Sequence, residues 1–283
     1  MKFQQELLET VVRRALDEDG AGDDLTARAL VPRDALGSGR IGVKEEGIVA
    51  GLEVAQCVFT CLDKALHFRP LVGDGDRVTA GDVIAHISGP AQSILAGERT
   101  ALNFLQRMSG IATLTRRFVD AIHGTGVVIL DTRKTAPGLR PLDKLAVKIG
   151  GGENHRFGLH DMVLIKENHI AMTGSITEAV KRVRLQKLNG ILVEVEVKNI
   201  AELQETLELP VDRILLDNLN LNEMKQAVLM TNHRIPLEAS GSMTLENVAD
   251  VAATGVDFIS VGKLTHSVKA LDMSLLFEEK RKL

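Results

Sequence analysis

From Gly126 onward the chain alternates between short apolar runs and longer stretches whose apolar residues recur at helical spacing. The runs are GVVILD, MVLIKEN, ILVEVEV, RILLDN, IPLEAS and FISVG. Between them lie LDKLAVKIGG, ITEAVKRVRLQKL, NIAELQETLEL, LNEMKQAVLM and TLENVADVAAT. Continuous β-branched runs predict strands covered on both faces, and the 3.6-residue spacing predicts amphipathic helices. Thr244, with Asn247 close behind, offers a helix start, and Gly190 and Gly255 fall where helices should end. Strict alternation of strand and helix implies a parallel sheet. The expected fold class is therefore α/β, an open (incomplete) β/α barrel, because six units are counted where a closed barrel has eight. A Rossmann-like open sheet is the alternative, weakened because no Gly-x-Gly-x-x-Gly follows any strand.

The first hundred residues follow a different pattern. An amphipathic helix, MKFQQELLETVVRRALDED, is followed by glycine-punctuated strand signals in GSGRIGVKEEGIVAG and LHFRPLVGDGDRVTAGDVIAHISGP. They flank a helix carrying Cys57 and Cys61. This predicts a smaller N-terminal α/β sandwich domain over residues 1–112. The segment GDGDRVTAGDVIAHI shares its turn pattern with biotinyl and lipoyl carriers but has no lysine beside a methionine at its tip, so a structural hairpin is expected. A long helical stretch from Ser93 to Gly124, interrupted at Gly110, leads into the barrel, 113–267.

Composition narrows the classes. At 283 residues, 45% hydrophobic and 25% charged, the chain has ample material for a core. A net charge of −4 argues against a general nucleic-acid binder and makes any basic site local. No apolar run approaches the roughly 18 residues of a membrane span, and the first residues lack a signal-peptide core, so a cytoplasmic protein is expected. Cys57 and Cys61, four apart on one helix face, have no neighbours to complete a metal site and are expected as buried thiols.

Barrel active sites sit at the C-terminal ends of strands. Those positions give Asp131, Arg133 and Lys134, then Lys166 with Glu167, Glu194 and Glu196, Asp217 with Asn218, Glu238 and Ser240-Gly241, and Gly262-Lys263. One such end could be a solvated rim residue, but six in register point to a site. The two glycine-bearing ends suit a phosphate held on backbone N–H groups. The sequence GGGENHRFGLHD adds His155 and Arg156 to Arg133, Lys134, Arg140 and Lys166 as a basic pocket, and guanidinium forks match carboxylates and phosphates. Glu196 and Asp217 fit there if they hold ribose hydroxyls or a divalent cation, and Mg2+ prefers such oxygen ligands. The residues ask for a polyanionic small molecule, a phosphorylated sugar and Mg2+.

The stretch DTRKTAPGLRPLDKLAVKIGGGENHRFGLHDMVLIKENHI resembles the signature region of the quinolinate phosphoribosyltransferases, also called nicotinate-nucleotide pyrophosphorylases (carboxylating). The likeness continues through VEVEV, ILLDN, EASGSM and ISVGKLTHS, and back through AGERTALNFLQRMSGIAT and EDGAGDDLT. It implies transfer of the phosphoribosyl group of phosphoribosyl pyrophosphate to quinolinate with decarboxylation, giving nicotinate mononucleotide, pyrophosphate and CO2. It implies a C-terminal segment, 268–283, that returns to the first domain, and a homodimer with a shared active site. Arg99 would reach the partner's site. Arg133, His155, Arg156 and Lys166 would hold the quinolinate carboxylates. Lys134 and Lys166 would face the phosphoribosyl pyrophosphate, Glu196 and Asp217 its ribose hydroxyls and Mg2+, and Ser240, Gly241, Gly262 and His266 its 5′-phosphate. The resemblance makes Lys134, Lys166, Glu196 and Asp217 the catalytic set. Lys263 and Ser242 depart from the family pattern, and His160 and His169 read as structural neighbours of the motif. Two other readings stay open: a relative associated with molybdenum transport, and a barrel aldolase forming a Schiff base on Lys166. A barrel that binds ligand without turnover is a third, with little support because no expected charge is missing.

Overall fold

The computed structural model describes residues 5–188 and 190–278, and these form two compact units. The first unit takes its described residues from 5–114, 136–150 and 267–278, and the second from 115–135 and 151–266.

In the first unit an antiparallel sheet of four strands runs in the order Met273–Phe277, Leu36–Val43, Val83–Pro90, His67–Pro70. Its outermost strand comes from the far end of the chain, with Met273 opposite Val43 and Leu275 opposite Ile41. Alternate residues Ile41, Val43, Leu275 and Met273 are buried, as expected for a sheet with one face on a core. The helix Gln5–Asp19 buries Leu8, Val12 and Leu16, one residue per turn, and packs on the helix Leu52–Leu62. The expected hairpin in GDGDRVTAGDVIAHI is a turn, but its two flanks do not pair with each other. Arg77–Val78 pairs with Gly47–Ile48, whereas Val83–Pro90 pairs with Leu36–Val43 and His67–Pro70. Asp82 closes the turn by accepting from the Thr79 N–H at 2.7 Å, with Gly81 at φ +98°.

The expected break at Gly110 is absent: one helix runs from Ala91 to Ala121. A Cβ on Gly110 would stand 2.1 Å from the Lys269 carbonyl oxygen, so the glycine lets the 267–278 segment approach the helix backbone. The helix Arg140–Ile149, inside the span expected for the barrel, groups with the first unit. There Asp143, fully buried, takes a two-pronged bond from Arg107, both contacts at 2.8 Å.

The second unit holds six parallel strands: Val128–Leu130, Val163–Ile165, Val193–Val197, Arg213–Asp217, Leu237–Ser240 and Phe258–Ser260. Across the sheet they run first, sixth, fifth, fourth, third, second. Among the described residues the two edge strands, first and second, are not joined by a ladder, so the barrel is open. Val193–Val197 is buried at every position although it reads Val-Glu-Val-Glu-Val, so both glutamates of its polar face are enclosed. The following helices start on side-chain caps: Ser175 accepts from the Glu178 N–H, Asn199 from Glu202, and Asn220 from Glu223, whose carboxylate returns the bond. Thr244 does not cap with its own side chain; its N–H donates to Asn247 Oδ1 at 2.9 Å.

Candidate active site

The strand ends of the second unit enclose a cavity of about 630 Å³. Its lining includes Arg133, Lys134, His155, Arg156, Lys166, Glu196, Asp217, Ser240, Gly241, Gly262 and His266. Of the residues expected to hold substrate, all but Arg99 and Arg140 are therefore gathered in one place. Arg99 is exposed on the Ala91–Ala121 helix of the first unit and is not among the lining residues. Arg140 opens the Arg140–Ile149 helix of that unit.

Each side chain is placed by local chemistry. Arg133 and Lys134 follow the first strand, where the Lys134 carbonyl accepts from the Thr265 hydroxyl at 2.9 Å and the Lys134 N–H donates to Thr132 Oγ1 at 3.1 Å. Lys166 ends the second strand, and its ammonium donates to Glu196 Oε2 at 2.6 Å. Its backbone N–H donates to His169 Nδ1 at 3.0 Å, which gives His169 a structural partner at the helix start. Asp217 ends the fourth strand and accepts from the Asn218 amide at 2.9 Å. His160 is exposed and is not a lining residue.

Part of the lining is glycine backbone. Gly241 has φ +133°, and a Cβ there would stand 2.4 Å from Asn218 Oδ1. At Gly262 a Cβ would come within 3.2 Å of both the His266 ring and the Lys134 chain. These glycines keep main-chain N–H groups open to an incoming anion, the feature of phosphate sites on the last barrel strands. Lys263 and Asn218, both expected at strand ends, also line the cavity, as do Thr132 and Ser260, which sequence reasoning had not singled out.

The third strand separates its two glutamates by depth. Side chains two apart share a face; Glu196 lines the cavity, and Glu194, one layer down, is fully buried. Glu194 Oε2 lies 3.0 Å from His155 Nε2, and Glu238 Oε2 lies 3.4 Å from the same nitrogen. Arg213 meets Glu238 at 3.1 Å and stacks over Phe258, 4.2 Å from the ring centre. Burial opposes a charge on His155, but hydrogen bonds and charges from Glu194 and Glu238 outweigh it and raise the pKa to about 9. The Arg156 N–H, 2.8 Å from Nδ1, pulls the other way by favouring a lone pair there. Burial pushes Glu194 up, and the Glu238 charge adds to this. For Glu238 burial acts upward too, but the His155 hydrogen bond and charge, with Ser260 and Arg213, hold its pKa below the usual range. Burial lowers Arg156, and the Arg133 guanidinium beside it lowers it further. Two cations that crowd one another at a cavity wall are ready to share an anion. His155, Glu194 and Glu238 bring three ligand atoms within 4.8 Å of one another, a spacing that can hold a metal. The Arg213 guanidinium against Glu238 identifies the group instead as a buried ion network.

Known proteins share the sequence and fold of this chain along most of its length. The model of the quinolinate phosphoribosyl transferase C-terminal domain matches residues 111–276, and that of the N-terminal domain matches 24–109. A mitochondrial quinolinate phosphoribosyltransferase (decarboxylating) of Nicotiana tabacum is 46% identical, over 95% of this chain and 81% of its own. A probable nicotinate-nucleotide pyrophosphorylase (carboxylating) of Bacillus subtilis is 43% identical, over 92% and 89%. The solved nicotinate-nucleotide pyrophosphorylase of Francisella tularensis superposes with a TM-score of 0.93 at 39% identity, covering 98% of each chain.

Proposed function

The chain belongs to the quinolinate phosphoribosyltransferase family, and from that premise we propose that it is a phosphoribosyltransferase. It would transfer the phosphoribosyl group of phosphoribosyl pyrophosphate to quinolinate and release pyrophosphate and CO2, forming nicotinate mononucleotide for NAD biosynthesis. The observation that carries this reading is a single cavity lined both by the cations Arg133, Arg156 and Lys166 and by the glycine backbone at Gly241 and Gly262.

The chemistry follows from where charge develops. The pyridine nitrogen attacks C1 of the ribose as the C1–O bond to pyrophosphate breaks, leaving C1 oxocarbenium-like and the departing oxygen negative. Lys134 and Lys166, preorganised at the strand ends, stabilise that departing charge without reorganisation of water. Glu196, held against Lys166, and Asp217 suit the ribose hydroxyls. Once the ring nitrogen is quaternised, the C2–CO2 bond breaks with its electron pair left on C2 beside the cation, and a proton closes the product. The cations grip the C3 carboxylate more firmly, because a tight hold on the C2 group would oppose its loss.

Glu196 and Asp217 also fit Mg2+, since both offer hard carboxylate oxygens on the cavity wall. When bound, the ion would neutralise charge on the pyrophosphate. A Schiff-base role for Lys166 fits less well, because its ammonium is paired with Glu196 at 2.6 Å, which favours the charged, non-nucleophilic form. We further infer a homodimer in which Arg99 reaches the partner's cavity, supported by its exposure on the helix. A cytoplasmic setting is supported by two free thiols, Cys57 and Cys61, 3.8 Å apart and unbridged. Among the described residues no helix is long and apolar enough to cross a membrane.

The test is turnover with quinolinate, phosphoribosyl pyrophosphate and Mg2+, following pyrophosphate and CO2 together, with nicotinate and Arg133→Ala as controls. Equal release of both products from quinolinate alone, abolished in the variant, is expected. Release of pyrophosphate without CO2, or no turnover by folded protein, would defeat the reading and favour the molybdenum-associated relative.

A further inference from the structure

A cavity built for anions has one fully buried carboxylate in its lining, Glu238, and a second, Glu194, behind the lining, and the proposed chemistry uses neither. Glu194 and Glu238 are each 0% exposed, and each keeps its Oε1 buried with no hydrogen-bond partner. Negative charge in that position weakens the binding of an anion unless it is neutralised and committed elsewhere. Arg213, fixed by its stack on Phe258, supplies one positive partner to Glu238. The other commitment is His155, whose Nε2 both carboxylates approach.

His155 is in turn tied to the chain around it. Its backbone N–H donates to Asp131 Oδ1 at 3.0 Å, and its Nδ1 lies 2.8 Å from the Arg156 N–H, a bond the ring accepts in its neutral form. The Arg156 guanidinium reaches the Met162 carbonyl at 3.2 Å. Residues 155 and 156 are thus held from below by strand carboxylates and from the side by backbone. A ring free to turn about its own bonds would release the Arg156 N–H and loosen the guanidinium next to it.

We infer that Glu194 and Glu238 are positioning residues for the dicarboxylate substrate: acting through the His155 ring, they fix the His155–Arg156 segment so that the Arg156 guanidinium stands at the cavity wall. This rests on the function proposed above. The carboxylates need no contact with substrate. Their effect belongs to the quinolinate end of the cavity and leaves the glycine end alone.

The test uses the full-length protein with Glu194→Gln and Glu238→Gln, near-isosteric changes. Steady-state kinetics should show the KM for quinolinate raised by about tenfold or more, with the KM for phosphoribosyl pyrophosphate within about twofold. In parallel, 15N spectra of histidine-labelled protein, with the His155 signals assigned through His155→Gln, should show the ring shifted in both variants. If Glu238→Gln does not fold, Glu194→Gln, whose carboxylate is not the one paired with Arg213, carries the test. An unchanged quinolinate KM overturns the proposal, as does an equal rise in both KM values with a lowered melting temperature. A divalent ion bound one per chain and lost in Glu194→Gln would overturn it in favour of a metal site. Absence of turnover in the unsubstituted protein would sink the functional reading on its own; an unmoved His155 signal in the variants would separately sink the anchor.

Discussion

The two ends of the cavity recognise negative charge by different means. One end uses side chains: Arg133, Arg156 and Lys166 project from strand ends and loops, backed by a buried network of His155, Glu194, Glu238 and Arg213. The other uses backbone, at Gly241, where a Cβ would collide with Asn218, and at Gly262, where one would crowd His266 and Lys134. Side-chain recognition distinguishes shapes, because a guanidinium fork fits a planar carboxylate. Backbone recognition favours compact charge such as phosphate. The difference suits a site that must hold a flat dicarboxylate beside a phosphorylated sugar.

Perturbations that act on both ends at once should have the largest effects. Lys166→Ala removes the cation proposed to serve substrate and leaving group together. We expect kcat to fall by roughly 10²–10³, with the melting temperature little changed because the lysine is half-exposed. Chelation of divalent cations should abolish turnover and leave the fold intact by circular dichroism; full activity in chelator would remove Mg2+ from the account. Gly241→Ala breaks only the backbone end. With φ +133° and a 2.4 Å approach to Asn218 Oδ1, it should cost about 1–3 kcal/mol in denaturant unfolding. Gly110→Ala is a control for glycine that serves packing. Its Cβ would strike the Lys269 carbonyl, so a loss of about 1–3 kcal/mol is expected, with KM values unchanged in the protein that remains folded. The smallest effect belongs to Lys263→Ala. That side chain is exposed at the rim, and a change of about threefold or less in either KM is expected, in keeping with an exposed charge. A larger change would extend the backbone end to include a side chain.

The same contrast explains what could be read from the sequence. Most of the six strands were legible as short apolar runs bounded by polar residues, and Val193–Val197 as a valine–glutamate alternation. The charged strand ends were legible because a cation or carboxylate following such a run has one place to go. Depth was harder to read. Glu194 and Glu196 share a face by period alone, and only packing sets one at the cavity wall and the other beneath it. Arg213 escaped notice because it begins its strand, at the end opposite the expected site, and its partner Glu238 is 25 residues away. Gly110 misled for a related reason. Glycine in a helix reads as a break, yet here the space it leaves is filled by a segment more than 150 residues later. Likewise the flanks of Thr79–Asp82 pair with different partners, a choice made by the surrounding sheets.

The most direct test of the two-ended cavity is to measure both KM values in Arg133→Lys and in Gly241→Ala. The first keeps the charge but loses the fork, and the second keeps every side chain but closes the backbone. The account predicts a crossed result: Arg133→Lys raises the KM for quinolinate about tenfold and leaves that for phosphoribosyl pyrophosphate within about twofold, and Gly241→Ala does the reverse. If both substitutions raise the same KM, the two ends do not divide the substrates as described.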